Sequence, residues 1–143
     1  MLISKILVPI DGSENSMRAL NHGLFLSSNL KIKLTIIFVI EVPPFVYVQS
    51  QKVVNSVMAS LEKEAKDVLE EGRNQAKRYD VEPEILFLEG NNIASIIIEH
   101  GEKNNFDLIV IGSKGKGKLK TSLLGSVSNK VIHHSKNPVY VVK

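Results

Sequence analysis

The chain has 143 residues, of which 43% are hydrophobic and 23% are charged, a balance that excludes a disordered chain and suits one domain with a buried core. The net charge of +3 is too small, and the basic residues outside 111–126 too evenly spread, to argue for nucleic acid as a partner. The absence of cysteine excludes disulfides, zinc–thiolate sites and thiol nucleophiles, and it fits a reducing compartment.

The N-terminal segment MLISKILVPIDG is predicted to be a strand rather than a signal peptide, because its apolar run ends in Pro-Ile-Asp-Gly and not in a cleavage site. No apolar run approaches the ~20 residues that a membrane helix needs. We therefore expect no membrane association and a cytoplasmic setting. Since no internal repeat or linker interrupts the chain, residues 1–143 are expected to form a single domain.

The first predicted strand is KILVPI (5–10), a near-continuous apolar run of the kind that is buried on both faces of a sheet. DGSENS (11–16) follows and begins a helix, because Asp11 and Ser13 are residues that favour helix caps. Apolar residues then recur at helical spacing at Met17, Leu20, Leu24 and Phe25.

A second buried strand is predicted over 33–40. The segment EVPPFVYVQS (41–50) is expected to be a non-helical loop because of its two prolines. From about 52 to 79 a long helix is predicted, since one stripe of apolar or small residues runs along it: Val57, Leu61, Ala65, Val68, Leu69, Gly72 and Ala76.

The second half continues the alternation. Strands are predicted over 84–89, 107–112 and 138–142, and helices over about 92–104 and 126–135. The order β-α-β-α-β-α-β-α-β predicts a parallel sheet with helices on both faces, since each crossover between parallel strands must pack back onto the sheet.

A ligand is expected beyond the carboxyl ends of the strands, where the winding direction of such a sheet reverses. If the reversal lies between strands 1 and 4, the loops DGSENS and GSKGKGKLKTSLLGS (112–126) face each other across the crevice. GSKGKGKL nearly matches a P-loop, but Leu119 stands where the magnesium-binding hydroxyl should be.

The glycine-rich loop has the chemistry of an anion site. Gly112 and Gly115 are expected to let the backbone approach a phosphate and to turn at angles that a Cβ would forbid. Gly125 and Ser126 open the last helix, whose free N–H groups would face the same anion. Positive charge surrounds the loop at Lys114, Lys116, Lys118 and Lys120. The alternative is a solvated hairpin whose lysines serve solubility.

The spacing Gly112, two residues, Gly115, nine residues, Gly125-Ser126 resembles the ATP-binding signature of the universal stress protein family. The likeness extends through ILVPIDGSENSMRAL near the start and LLGSVSNKVIHHSKNPVYVVK at the end. It implies an α/β fold with five parallel strands in a doubly wound open sheet of order 3-2-1-4-5, and four helices in a three-layer α/β/α arrangement.

The resemblance also implies an ATP site, with Mg²⁺ or Mn²⁺ held mainly by the phosphates. In it, Gly112 and Gly115 approach the ribose and first phosphates, Gly125 and Ser126 hold the distal phosphates, and Asp11 accepts from the nucleoside. The full implied set is Pro9, Asp11, Val39, Gly112, Ser113, Gly115, Gly125, Ser126 and Val127. The resemblance places the backbone of Val39 beside the adenine. Each of three assignments has an alternative: Asp11 could be a helix cap, Val39 a core residue, and Ser113 an ordinary loop serine.

No catalytic set or protein metal site is predicted. The histidines lie within helices or at their ends, at His22, His100, His133 and His134, where structural or solvated roles are expected. The resemblance favours a small ATP-binding regulator of the stress response. The alternatives are a weak ATPase or adenine-nucleotide-handling enzyme, and a nucleic-acid binder, which the lack of aromatic residues in the lysine loop opposes.

A homodimer is predicted through strand 5. In the order 3-2-1-4-5 the segment PVYVV lies at a sheet edge, and it has no charge before Lys143. Such an edge favours pairing with another chain, through Val139 and Val141, around a two-fold axis.

Overall fold

The computed structural model describes residues 2–115 and 124–143, and these residues form one central sheet of parallel strands. The strands are β1 (Lys5–Pro9), β2 (Lys33–Glu41), β3 (Glu84–Gly90), β4 (Leu108–Gly112) and β5 (Val139–Val142). They lie in the order β3-β2-β1-β4-β5, and every neighbouring pair is parallel. The predicted strand order is confirmed.

The helices cover both faces of the sheet. Within the described residues they are α1 (Glu14–Leu30), α2 (Gln51–Lys77), α3 (Ile93–Lys103) and α4 (Ser126–His134). One hydrophobic cluster joins the sheet to α1 and α2, and a second joins its other face to α3 and α4. The three-layer α/β/α arrangement is therefore confirmed.

The central strand β1 shows why its sequence is apolar at consecutive positions. Ile6 and Val8 belong to the cluster under α1 and α2, whereas Leu7 between them belongs to the cluster under α3 and α4. None of the three side chains is exposed to solvent. Successive side chains of a strand point to opposite faces, so a strand buried on both faces needs a continuous apolar run.

The segment after β2 corrects one prediction. Residues Pro44–Val48 form a short 3₁₀ helix, and Val46 within it is buried. The prediction that 41–50 is non-helical is wrong because both prolines lie at the helix start, with Pro43 as the N-cap. The first N–H groups of a helix have no acceptor within the helix, so proline is tolerated there. Glu41 also belongs to β2 rather than to the loop.

Phe25 does not share the buried face of α1. Leu20 and Leu24 are fully buried, whereas Phe25 is 59% exposed. Adjacent residues of a helix lie about 100° apart around its axis, so the residue after Leu24 turns away from the sheet. The prediction of a helix is therefore correct, but Phe25 does not belong to its apolar face.

Candidate functional site

A cavity of about 410 Å³ lies at the carboxyl ends of β1, β2 and β4. This volume is within the range of about 300–1,000 Å³ that is typical of small-molecule sites. The loops after β1 and β4, which flank the reversal of the winding, both contribute to it. All residues of the predicted set except Ser113 line the cavity: Pro9, Asp11, Val39, Gly112, Gly115, Gly125, Ser126 and Val127.

The turn after β1 is built from backbone geometry and short polar side chains. Gly12 has φ 83°, a left-handed conformation that favours glycine. Ser13 is the N-cap of α1, and its hydroxyl accepts a hydrogen bond from the Ser16 N–H at 3.2 Å. The Asp11 carboxylate accepts from the Ser13 N–H at 2.9 Å. The capping role left open for Asp11 therefore belongs to Ser13, and Asp11 holds the turn while it also lines the cavity.

Glycine is required at Gly112 and Gly115 by space rather than by backbone angle. Neither residue has a positive φ, so the expectation of angles that a Cβ would forbid is wrong. A Cβ on Gly112 would lie 2.8 Å from the backbone carbonyl carbon of Asn15 in α1. A Cβ on Gly115 would lie 2.6 Å from Oδ2 of Asp11. A side chain at Gly112 would therefore collide with the backbone of α1, whereas one at Gly115 would have to displace the Asp11 carboxylate.

Helix α4 begins at the cavity, as predicted. Gly125 is its N-cap and makes no side-chain capping hydrogen bond, and Ser126 is its first helical residue. The first N–H groups of a helix lack partners within the helix, and together with the helix dipole they favour an anion. Ser126 and Val127 both line the cavity, so this end of the helix is directed at the space between the loops.

Ser113 occupies a structural position next to the cavity. It is buried, and its hydroxyl accepts a hydrogen bond from the Asn15 side-chain amide at 3.3 Å. Its N–H donates to the Val142 carbonyl, and its own carbonyl accepts from the Gly125 N–H, both at 2.7 Å. Ser113 therefore links β4 to α1, β5 and α4, and a direct contact with phosphate stays a prediction.

The lining that β2, α2 and α3 contribute to the cavity is mainly apolar. Besides Val39, it includes side chains or backbone of Phe38, Ile40, Leu61, Ile93 and Ile97. Sequence reasoning missed these residues because their helical or strand spacing is that of an ordinary core. An apolar lining of this kind suits the ring system of a ligand, and a few polar groups then fix its orientation.

The charges around the cavity are mixed. Among the described lining residues, Asp11, Glu41 and Glu64 carry carboxylates and Lys114 carries an ammonium group. The predicted loop lysines Lys116, Lys118 and Lys120 lie outside the described residues. No histidine is found in this described lining, whereas His22 lies at the β5 edge with Nδ1 2.9 Å from the Tyr140 hydroxyl.

His100 lies in α3 and its ring faces Phe106, with 5.6 Å between the ring centroids. Partial burial lowers the pKa of His100, with Lys5 acting in the same direction and Glu84 opposing it. Its contact with the Phe106 ring fits the structural role expected for this histidine.

Comparison with known proteins places this site in a family context. Residues 3–143 match the family described as the Universal stress protein family. The chain belongs to the universal stress protein family. Universal stress protein MJ0531 of Methanocaldococcus jannaschii is 34% identical over 142 residues, which are 99% of this chain and 83% of that protein.

Solved structures share the fold. The structure of MJ0577, a universal stress protein of Methanocaldococcus jannaschii, superposes with a TM-score of 0.87 at 29% identity and covers 100% of this chain and 97% of its own. A universal stress protein family protein from Arabidopsis thaliana with AMP bound superposes with a TM-score of 0.71 at 20% identity, covering 98% of this chain and 91% of its own. Among the described residues no helix is both long and apolar enough to cross a membrane.

Proposed function

We propose that this universal stress protein binds an adenine nucleotide, with ATP as its main ligand, and acts as a regulator in the stress response. The observation that carries the proposal is the convergence of the β1 loop, the β4 loop and the N-terminus of α4 on one cavity of about 410 Å³. The family relative from Arabidopsis thaliana that was solved with AMP bound supports the choice of an adenine nucleotide.

The phosphates would lie at the glycine-rich end. Ser126 and Val127 begin α4, so their N–H groups and the Ser126 hydroxyl would donate to the distal phosphates, while Gly125, whose N–H is held by the Ser113 carbonyl, would let them approach. Gly112 and Gly115 line the approach to them, and Lys114 adds a positive charge on the same side. Donors of this kind are strongest toward a charged oxygen.

The nucleoside would occupy the apolar end. The backbone of Val39 at the end of β2 would lie beside the adenine, and Asp11 would accept from the ribose. Val39 is 9% exposed, so its side chain belongs to the core. The two roles are compatible because only the backbone of Val39 would contact the adenine.

A divalent ion belongs to this proposal as part of the ligand. Within the described residues, no group of three or more His, Asp or Glu side chains is placed to hold a metal ion. Mg²⁺ or Mn²⁺ would therefore be held mainly by the phosphates. The ion would neutralise part of the phosphate charge and so reduce its repulsion by the three carboxylates of the cavity.

A weak ATPase is the alternative function at the same site. The two functions differ in turnover: a regulator releases ATP unchanged, whereas an ATPase releases ADP or AMP above the level of a Gly115 variant. Phosphoryl transfer needs a group that positions the attacking water as well as metal ligands. Asp11, whose carboxylate lies beside Gly115 in the cavity, is the residue that would take that role.

A homodimer through β5 completes the proposal. β5 lies at the edge of the sheet, and its Tyr140 is 41% exposed. Val139 and Val141 are half-buried against the α3 and α4 side of the sheet. Antiparallel pairing of two β5 strands would satisfy the open edge and continue the sheet through the dimer.

The experiment that tests the function is identification of the nucleotide that the purified protein carries. The protein is denatured after purification, and the supernatant is analysed by mass spectrometry. We expect ATP or another adenine nucleotide in amounts comparable to the protein, and a strongly reduced amount from a Gly115→Val variant purified in parallel. A guanine nucleotide in its place would contradict the proposed ligand.

A further inference from the structure

Ser128 joins two parts of the glycine signature that lie far apart in the sequence. Ser128 is 3% exposed, and its hydroxyl donates a hydrogen bond to the Gly112 carbonyl at 2.6 Å. Ser128 is the third residue of α4, whereas Gly112 is the last residue of β4. This hydrogen bond therefore fixes the first turn of α4 to the end of the strand that precedes it.

A second hydrogen bond acts in parallel. The Gly125 N–H donates to the Ser113 carbonyl at 2.7 Å, so the N-cap of α4 is also held against the residue after β4. Both acceptors are backbone carbonyls at one end of the sheet, and Ser128 supplies the side-chain member of the pair. A Cβ on Gly125 would lie 3.3 Å from Cα of Lys114, which shows how close the two segments are.

We propose that Ser128 is a positioning residue for the phosphates: through Gly112 it sets the distance between the β4 loop and the N-terminus of α4. This inference rests on the proposed function. Ser128 also lines the cavity, but its hydroxyl donates to Gly112, so it acts on the ligand through the N–H groups of Ser126 and Val127. The family signature ends at Ser126, two residues before Ser128.

Removal of the hydroxyl should affect nucleotides unequally. Without the bond to Gly112, the bond from Gly125 to Ser113 is, among the described residues, the hydrogen bond that still ties the start of α4 to the end of β4, so the N–H groups of the first turn are held less firmly in position. Hydrogen bonds weaken steeply with distance and angle. The distal phosphates of ATP depend on α4, whereas the single phosphate of AMP is assigned to the β4 loop. ATP should therefore lose more affinity than AMP.

The test is calorimetric titration of ATP and AMP into the unsubstituted protein, Ser128→Ala and Ser27→Ala. Ser27 is a matched control, because it is 5% exposed and its hydroxyl also donates to a backbone carbonyl, that of Ile32, at 2.5 Å. Ile32 directly precedes β2, so this bond lies at the end of the sheet opposite to the cavity. Thermal unfolding of each variant reports the effect on stability.

We expect Ser128→Ala to weaken ATP about tenfold, or ~1.4 kcal/mol, and AMP less than about threefold, while Ser27→Ala binds both nucleotides normally. Equal ATP affinity of folded Ser128→Ala and the unsubstituted protein would overturn the positioning role and leave the proposed function intact. Equal losses of ATP and AMP, or a matching loss in Ser27→Ala, would also overturn it, since they indicate general destabilisation.

Failure of the unsubstituted protein to bind either nucleotide would instead overturn the proposed function, and the positioning role with it. If Ser128→Ala does not fold, Ser128→Cys replaces it, because a thiol of similar shape is only a weak donor. The same preferential loss of ATP is then expected, and unchanged ATP binding by folded Ser128→Cys would count against the inference.

Discussion

Replacement of Gly115 by a residue with a Cβ should directly disrupt the meeting point of the two binding loops. The Cβ of alanine at this position would lie 2.6 Å from Oδ2 of Asp11, whereas ordinary contacts begin at 3.4 Å. The carboxylate must therefore withdraw by at least about 0.8 Å, or the β4 loop must move by as much. The other oxygen of the same carboxylate accepts from the Ser13 N–H at 2.9 Å.

The size of the effect follows from that geometry. If the whole carboxylate withdraws by 0.8 Å directly away from the Ser13 N–H, the distance between the Ser13 nitrogen and Oδ1 of Asp11 increases from 2.9 Å to about 3.7 Å, beyond hydrogen-bonding range. A hydrogen bond to a charged group contributes about 1.5–3 kcal/mol, which corresponds to roughly 10- to 150-fold in a binding constant when the lost bond orients the ligand-binding carboxylate. We expect Gly115→Ala to weaken ATP about tenfold, and Gly115→Val, with two further methyl groups in the cavity, about a hundredfold or more.

Calorimetric titration with ATP measures this loss, and Gly90→Ala is the matched control. A Cβ on Gly90 would lie 2.5 Å from Cδ1 of Ile96, an intrusion of similar size against a flexible side chain that does not line the cavity. Circular dichroism should show both variants folded. An unchanged dissociation constant in Gly115→Val, or an equal loss in Gly90→Ala, would refute the assignment of the β4 loop to the site.

Two further predictions concern pH and assembly. Hydrogen bonds from the N–H and hydroxyl of Ser4 lower the pKa of Asp107 below its usual 3.8, with the Lys5 N–H acting in the same direction. Because the folded pKa is lowered, this stabilisation is present above about pH 4 and is lost as pH falls through the folded value. Asp107→Asn should therefore lower the melting temperature at pH 7, with the difference narrowing toward pH 2.5; a constant difference would contradict the linkage. For the dimer through β5, light scattering at micromolar concentration should give about twice the chain mass of 15.9 kDa, and a mass near 15.9 kDa would exclude it.

The sheet was predictable because its sequence signals are continuous. β1 and β4 are apolar at consecutive positions, as burial on both faces requires, and the helices between the strands carry clear caps such as Ser13. The strand order required the family resemblance, since alternation of strands and helices does not by itself say where the winding reverses.

Local details were harder because they depend on three-dimensional proximity. The requirement for glycine at Gly112 comes from the Asn15 backbone, which is nearly a hundred positions earlier in the chain. Leu61 and Ile93 reach the cavity from helices whose apolar spacing is indistinguishable from that of a core. The 3₁₀ helix at Pro44–Val48 was missed because proline was weighed as a helix breaker without regard to its place in the first turn.

Equilibrium binding of ATP to the nucleotide-free protein is the most direct test of whether the cavity is a nucleotide site. The protein is unfolded to release any ligand, refolded, and titrated with Mg²⁺–ATP in a calorimeter, with Mg²⁺–GTP as the comparison. We predict saturable binding of one ATP per chain, abolished or strongly weakened in Gly115→Val, and much weaker binding of GTP. The absence of saturable binding by correctly refolded protein at ATP concentrations up to about 1 mM, where a site of ~4 kcal/mol would already be half filled, would contradict the assignment of the cavity as a nucleotide site.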